Sequence, residues 1–147
     1  SKAFFCAYYQ SLHWKGRHPR MKTDVLNVCL DIGYTLLFNY VECFLRMFGF
    51  DLYVGIYHRA WFKRKSLVCD LMEPFRPFID RMVVQKYLNE KDFKRQLIDS
   101  LNIEYLCDGK VTILENAIHA FCLSVFNALN SNNPSKILKV TFQDGQL

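Results

Sequence analysis

Between Asp24 and Phe48 the chain runs almost unbroken through apolar residues, and the few polar ones return at a near-constant interval. Asn27, Asp31, Thr35, Asn39, Glu42 and Arg46 are separated by four, four, four, three and four positions. That spacing draws one narrow stripe along an α-helix, so the segment is predicted as a long helix buried over most of its circumference. Asp24 is placed to cap its start, because a carboxylate there accepts from first-turn amides. Gly49 is placed to end it, because glycine enters the left-handed region without penalty. A membrane span needs about twenty predominantly apolar residues, and the polar stripe argues against one. A buried helix of this length commits the remainder of the chain to wrapping it.

The flanking segments suit that task. Residues 2–12 read as the end of a helix, and 13–23, with Gly16 and Pro19, as a loop. Residues 50–57 are short, aromatic and irregular, and a basic loop follows through Lys65. Ser66 is a candidate cap for a helix carrying Leu67, Val68, Leu71 and Met72. Pro74 and Pro77 disfavour helical backbone in the residues before them, which sets a boundary or kinks near Glu73 and Arg76. Helical patterning resumes over 78–88 and 91–101. A small β-hairpin turning at Asp108-Gly109 is expected over 104–113, then a last helix over 115–129 and a turn at 131–136. The expected fold class is mainly α: a single helical domain over residues 1–147 with one β-hairpin.

Composition sharpens the partner more than the fold. The 51% apolar and 16% aromatic content excludes a disordered chain. The net charge of +5 is modest but unevenly placed. Lys15, Arg17, Arg20 and Lys22 lie in one acid-free run, and Arg59, Lys63, Arg64 and Lys65 in another. Two such patches suit a phosphate backbone, although charge alone fits two solvated loops equally well. None of the six cysteines has C-x-x-C spacing, which indicates reduced thiols in a cytoplasmic protein rather than disulfides or a zinc site.

Candidate chemistry concentrates between Gly49 and Asp80. Asp70 and Glu73 stand three apart on a helical segment and share a face. Two carboxylates so close repel each other unless a cation neutralises them. His58 could add an imidazole from the preceding turn, and such oxygen and nitrogen donors suit Mg²⁺ or Mn²⁺ at a substrate phosphate. On spacing alone, a solvated helix edge beside a surface histidine is the commoner outcome.

The order of motifs carries more. Asp24 with Asn27, Gly33-Tyr34-Thr35-Leu36-Leu37, Gly49-Phe50-Asp51, Gly55 to His58, a basic loop and Ser66 to Pro77 follow one another over about sixty residues. This block resembles the signature region of the CRISPR-associated integrase, in its carboxy-terminal helical catalytic domain. The resemblance implies a metal-dependent DNA endonuclease and integrase that inserts prespacer DNA into a CRISPR array by transesterification. It implies His58 and Glu73 as ligands of Mg²⁺ or Mn²⁺, with Asp70 supporting the site, so that His58, Asp70 and Glu73 form the catalytic set. Arg17, Arg20, Lys22, Arg59, Lys63, Arg64, Lys65 and Arg76 are the expected DNA contacts. Implied partners are double-stranded prespacer and repeat DNA, further copies of the chain and a small ferredoxin-like protein, with no membrane, in a prokaryotic cytoplasm. The family's third ligand, a glutamate, would fall a few positions before Ser1, and its amino-terminal β-domain is not within these residues. The chain is therefore expected to begin inside the domain and to be inactive by itself. The competing expectation is a non-catalytic DNA-binding or structural subunit of the integration complex.

Overall fold

The computed structural model describes residues 7–10, 14, 16–18, 24–59, 61–89 and 109–140. Its centre is helix α1, Val25–Met47. Asp24 caps it, with extended backbone and a carboxylate that accepts from the Asn27 amide at 2.7 Å. The Asn27 side chain, fully buried, donates to Asp24 at 2.7 Å and to the Gly16 carbonyl at 3.2 Å. Its Oδ1 accepts from Arg17 at 3.1 Å and from the His18 amide at 2.8 Å. The Asp-x-x-Asn pair thus fastens the preceding loop to the helix start. At the other end Gly49, at φ +75°, lets its own amide reach the Arg46 carbonyl at 3.0 Å and the Phe50 amide reach Leu45 at 3.0 Å. These two bonds are the paired C-terminal closure that a left-handed residue permits.

Among the described residues three helices pack on α1. Helix α2, Ser66–Met72, leads through a 3₁₀ turn at Glu73–Phe75 into α3, Arg76–Asn89. Helix α4 spans Gly109–Asn130 and is followed by a 3₁₀ turn at Pro134–Lys136. The break after Met72 falls where the prolines place it: Pro74 sits inside the 3₁₀ turn, and Pro77 occupies the first turn of α3, where a missing amide costs nothing. Leu30, Leu37, Val41 and Leu45 of α1 meet Val68, Phe75, Val83 and Ile118 in one core, all at most 1% exposed. By length and composition α1 could cross a membrane. Here other helices pack on it, and its stripe residues Asn27, Asp31 and Glu42 are engaged by Arg17 and Lys65, but only 33% of its apolar window is buried, less than the sequence pattern predicts. Its buried face supplies one side of the core.

Two local expectations change. Residues 109–113, assigned to the second half of a hairpin, are the first turns of α4. The β-branched run Val111-Thr112-Ile113 suggests a strand, yet Val111, Leu114, Ile118, Phe121 and Val125 keep the helical interval, and that longer pattern prevails. No strand occurs among the described residues, while 91–101 and 104–108 lie outside them. Ser66 does not cap α2 either. Lys65 holds the cap position without a side-chain bond to the first-turn amides, and the buried Ser66 hydroxyl donates to the Arg59 carbonyl at 3.3 Å.

Candidate functional site

The turn at Gly55–His58 is built around one carboxylate. Asp70 projects from α2, and its Oδ2 accepts the amides of Ile56 at 2.6 Å and Tyr57 at 2.9 Å. Its Oδ1 accepts the His58 amide at 3.1 Å and also meets His58 Nδ1. Gly55 makes this approach possible: a Cβ there would lie 2.5 Å from the His58 carbonyl, 2.7 Å from Ser66 Cβ and 2.9 Å from Asp70 Oδ2. Glycine is required for space, since no positive φ occurs at that position. Burial pushes the Asp70 carboxyl up, but the Tyr57 amide, the His58 ring, and the His58 and Ile56 amides together hold it below its ordinary value. An ionised Asp70 only accepts, so His58 Nδ1 carries a proton, and in the neutral ring the lone pair then falls on Nε2. A carboxylate on one ring nitrogen with the other left to bind is the usual support for a metal-binding histidine. The His58 side chain is 25% exposed against 5% for Asp70.

Glu73 begins the 3₁₀ turn three residues beyond Asp70, is half-exposed, and pairs with Arg76 at 3.4 Å. The structure therefore joins His58 to Asp70, and Glu73 to Arg76. No three His, Cys, Asp or Glu side chains are gathered into a complete ion cage among the described residues. Glu42 is committed elsewhere: it accepts from Lys65 Nζ at 2.6 Å and Arg46 Nε at 2.8 Å, and the Lys65 contact keeps its carboxyl below the usual value.

Behind this pair lies a network that pattern reading missed. Asp80, 2% exposed on α3, accepts from the hydroxyls of Tyr9 at 3.0 Å and Tyr34 at 2.5 Å. The guanidiniums of Arg76 and Arg17 sit 5.0 and 5.5 Å from the Tyr34 ring. The available signal was an acid four residues after Arg76 amid the core positions Phe78, Ile79 and Val83. Burial pushes the Asp80 carboxyl above its ordinary value despite these donors. A carboxyl raised in the folded state binds extra protons there, so its contribution to stability falls as pH rises from about 4 through the folded pKa. Asp80→Asn keeps an acceptor oxygen and removes the charge. In urea unfolding, wild type should lose ground relative to this variant as pH rises across that window, and parallel curves would contradict the assignment.

Among the described residues the expected DNA contacts divide into two sets. Arg59, Lys63 and Arg64 are exposed. Lys65 is bound to Glu42, Arg76 faces Glu73, and Arg17 pairs with Asp31 at 2.5 Å with only 13% of its side chain exposed. Arg17 is thus a clasp for the helix start rather than a presented cation. Arg20 and Lys22 lie outside the described residues.

The family described as CRISPR associated protein Cas1 matches residues 2–108. The CRISPR-associated endonuclease Cas1 1 of Thermodesulfovibrio yellowstonii is 34% identical over 103 residues, covering 65% of this chain and 32% of the relative. The CRISPR-associated endonuclease Cas1 of Korarchaeum cryptofilum is 40% identical over 77 residues, 48% of this chain and 23% of the relative. In Leptospira interrogans a protein with that same name is 40% identical over 81 residues, 52% of this chain and 31% of the relative. The chain thus spans about a third or less of the length of these relatives. No solved structure matches it. Every motif that builds the turn around Asp70, from Gly55 through Ser66 to Glu73, falls inside the matched residues, and the chain belongs to the Cas1 family of CRISPR-associated proteins.

Proposed function

We propose that this chain is the helical catalytic part of a divalent-metal-dependent DNA endonuclease and integrase, which joins prespacer DNA to a CRISPR repeat. The observation that carries this reading is His58, locked through Nδ1 by Asp70 with Nε2 left to bind, in a family whose relatives are named endonucleases. His58 and Glu73 would hold Mg²⁺ or Mn²⁺. The donor set fits such an ion, which supplies polarisation of the phosphate and stabilisation of charge on the attacking and leaving oxygens. Asp70 fixes the imidazole tautomer and the turn. Arg76 pairs with Glu73 and is itself steadied against Tyr34. Further copies of the chain and a small bridging protein would complete the assembly in a prokaryotic cytoplasm.

Arg59, Lys63 and Arg64 would bind backbone phosphates, which place the duplex without reading its sequence. Replacing all three with alanine should reduce the salt slope of DNA binding by about 2–3 units, at roughly 0.9 per phosphate contact. The same three changes made at Arg17, Arg46 and Lys65 serve as control, because those cations are internally paired. Equal slopes in wild type and the Arg59/Lys63/Arg64 variant would make that loop merely solvated.

The test of function is joining or cleavage of prespacer and repeat DNA by the complete protein, with Mn²⁺ or Mg²⁺ and with chelator. Chelator-sensitive joining or cleavage is expected. DNA binding without either, in the presence of the metal, would favour the non-catalytic subunit.

A further inference from the structure

Gly33 lets α1 and α3 approach closely, one residue short of a tyrosine and a buried carboxylate. A Cβ at Gly33 would lie 2.5 Å from Cγ2 of Ile79, which is itself buried in the core. Tyr34 and Asp80, the next residue on each helix, meet there, and the Tyr34 hydroxyl donates to Asp80 Oδ1 at 2.5 Å. Tyr9 donates to the same oxygen at 3.0 Å. Burial above all, then the charge of Asp80, pushes the Tyr34 pKa up, so its hydroxyl stays protonated and keeps donating. Asp80 also stands one helical turn beyond Arg76, a spacing at which acid and guanidinium ordinarily meet. Here the carboxylate is given to the tyrosines instead, and the Arg76 guanidinium lies 5.0 Å from the centre of the Tyr34 ring.

Arg76 is held more by that ring than by hydrogen bonds. Its Nε is buried with no acceptor among the described residues, a cost that native structures seldom carry without a reason. One terminal nitrogen reaches Glu73 Oε1 at 3.4 Å, and the Arg76 amide closes the 3₁₀ turn on the Glu73 carbonyl. Backbone and side chain thus tie Arg76 to Glu73. A half-exposed glutamate otherwise samples many rotamers and loses that freedom when it ligates. Carboxylates that hold metals are accordingly oriented by outer partners. Because two hydroxyls satisfy Asp80, the guanidinium stays with Glu73 and can serve as that partner.

We propose that Tyr34 is a positioning residue for the metal site: fixed by Asp80 through its hydroxyl, it offers its ring to Arg76, and Arg76 sets the direction of the Glu73 carboxylate. All three act through Glu73. This role rests on the reading of Glu73 as a metal ligand, and adds the residues that aim it.

Mn²⁺ binding by the complete protein, measured by calorimetry without DNA, tests the relay apart from catalysis. By charge alone, removing a cation beside a metal ligand should tighten Mn²⁺ binding. Loss of positioning should weaken it, so the sign decides. Arg76→Ala is expected to weaken Mn²⁺ binding by about tenfold or more. Tyr34→Leu alters no charge and should cost a similar factor. Added to Arg76→Ala, it should cost less than about twofold more, because Tyr34 acts through Arg76. Tyr34→Phe keeps the ring for Arg76 and should stay within about threefold of wild type. A purely structural Tyr34 would lower the thermal midpoint and leave Mn²⁺ affinity unmoved. Arg76 is half in water, so Arg76→Ala keeps the fold, which circular dichroism checks, and its result decides even if Tyr34→Leu does not fold. Unchanged or tighter binding in Arg76→Ala, unchanged binding in a folded Tyr34→Leu, or additive losses in the double variant overturn the relay while Glu73→Ala still weakens binding. Wild-type Mn²⁺ affinity in Glu73→Ala overturns the reading of the site itself, and the relay with it.

Discussion

Glu73→Ala in the complete protein is expected to lower metal-dependent joining or cleavage of DNA by about a thousandfold or more, while DNA affinity changes less than about threefold. The first figure follows from removing a ligand to an ion that stabilises the transition state by several kcal/mol, at about 1.4 kcal/mol per tenfold. The second follows because affinity comes from cations on phosphates, not from a carboxylate. Global stability should barely move, since the pair with Arg76 is long at 3.4 Å and half in water. Glu73→Gln tests the charge itself: it keeps the shape of the side chain and should be nearly as inactive. Assays of joining, of affinity and of thermal midpoint on the same preparations separate these effects. An active Glu73→Ala would remove this residue from the chemistry.

Gly55→Ala should be almost as damaging, although it adds one methyl group and touches no reacting atom. The added Cβ would stand 2.5 Å from a backbone oxygen and 2.7 Å from the Cβ of Ser66, which the core holds fixed. Neither can swing away as a flexible side-chain end would. The turn must therefore lift from Asp70, loosening three amide bonds and the His58 ring contact together. Overpacking of this kind costs about 1–3 kcal/mol of stability. A displacement of about 1 Å at a catalytic group can cost about a hundredfold in rate. Gly49→Ala is the informative control. Its φ of +75° makes alanine strained, but nothing lies within 4 Å, so stability should fall by about 1 kcal/mol with activity unchanged. If Gly55→Ala retains full activity, the close approach at Gly55 is not what holds His58.

The elements governed by local rules were legible in the sequence. Asp24, Gly49 and the two prolines mark helix ends through backbone preferences that need no tertiary context, and the structure places the ends there. The polar stripe of α1 was legible as a pattern but not as a purpose. Asn27 proves to be a buried hub and Glu42 the anchor of Lys65, because each is claimed by a residue distant in sequence. The same limit explains Arg17: an acid-free run hides the fact that its counter-ion, Asp31, comes from the next helix. Asp80 was invisible because a lone acid in a helix normally faces water, and only the fold brings Tyr9 and Tyr34 over it. At the candidate site, motif order singled out His58, Asp70 and Glu73. The reason for Gly55, and the grip of Asp70 on the whole turn, emerge only in three dimensions.

The central claim is that His58 and Glu73 bind one ion that Asp70 helps to position. Mn²⁺ titration of the complete protein, followed by calorimetry or by the paramagnetic signal of the free ion, tests it without reference to activity. His58→Ala and Glu73→Ala should each weaken Mn²⁺ binding by more than about a hundredfold, and the double variant should be scarcely worse than either. Asp70→Asn, acting through the imidazole, should cost about tenfold to a hundredfold. Wild-type Mn²⁺ affinity in both single variants would show that these residues share no ion, and the proposed site would be contradicted at its foundation.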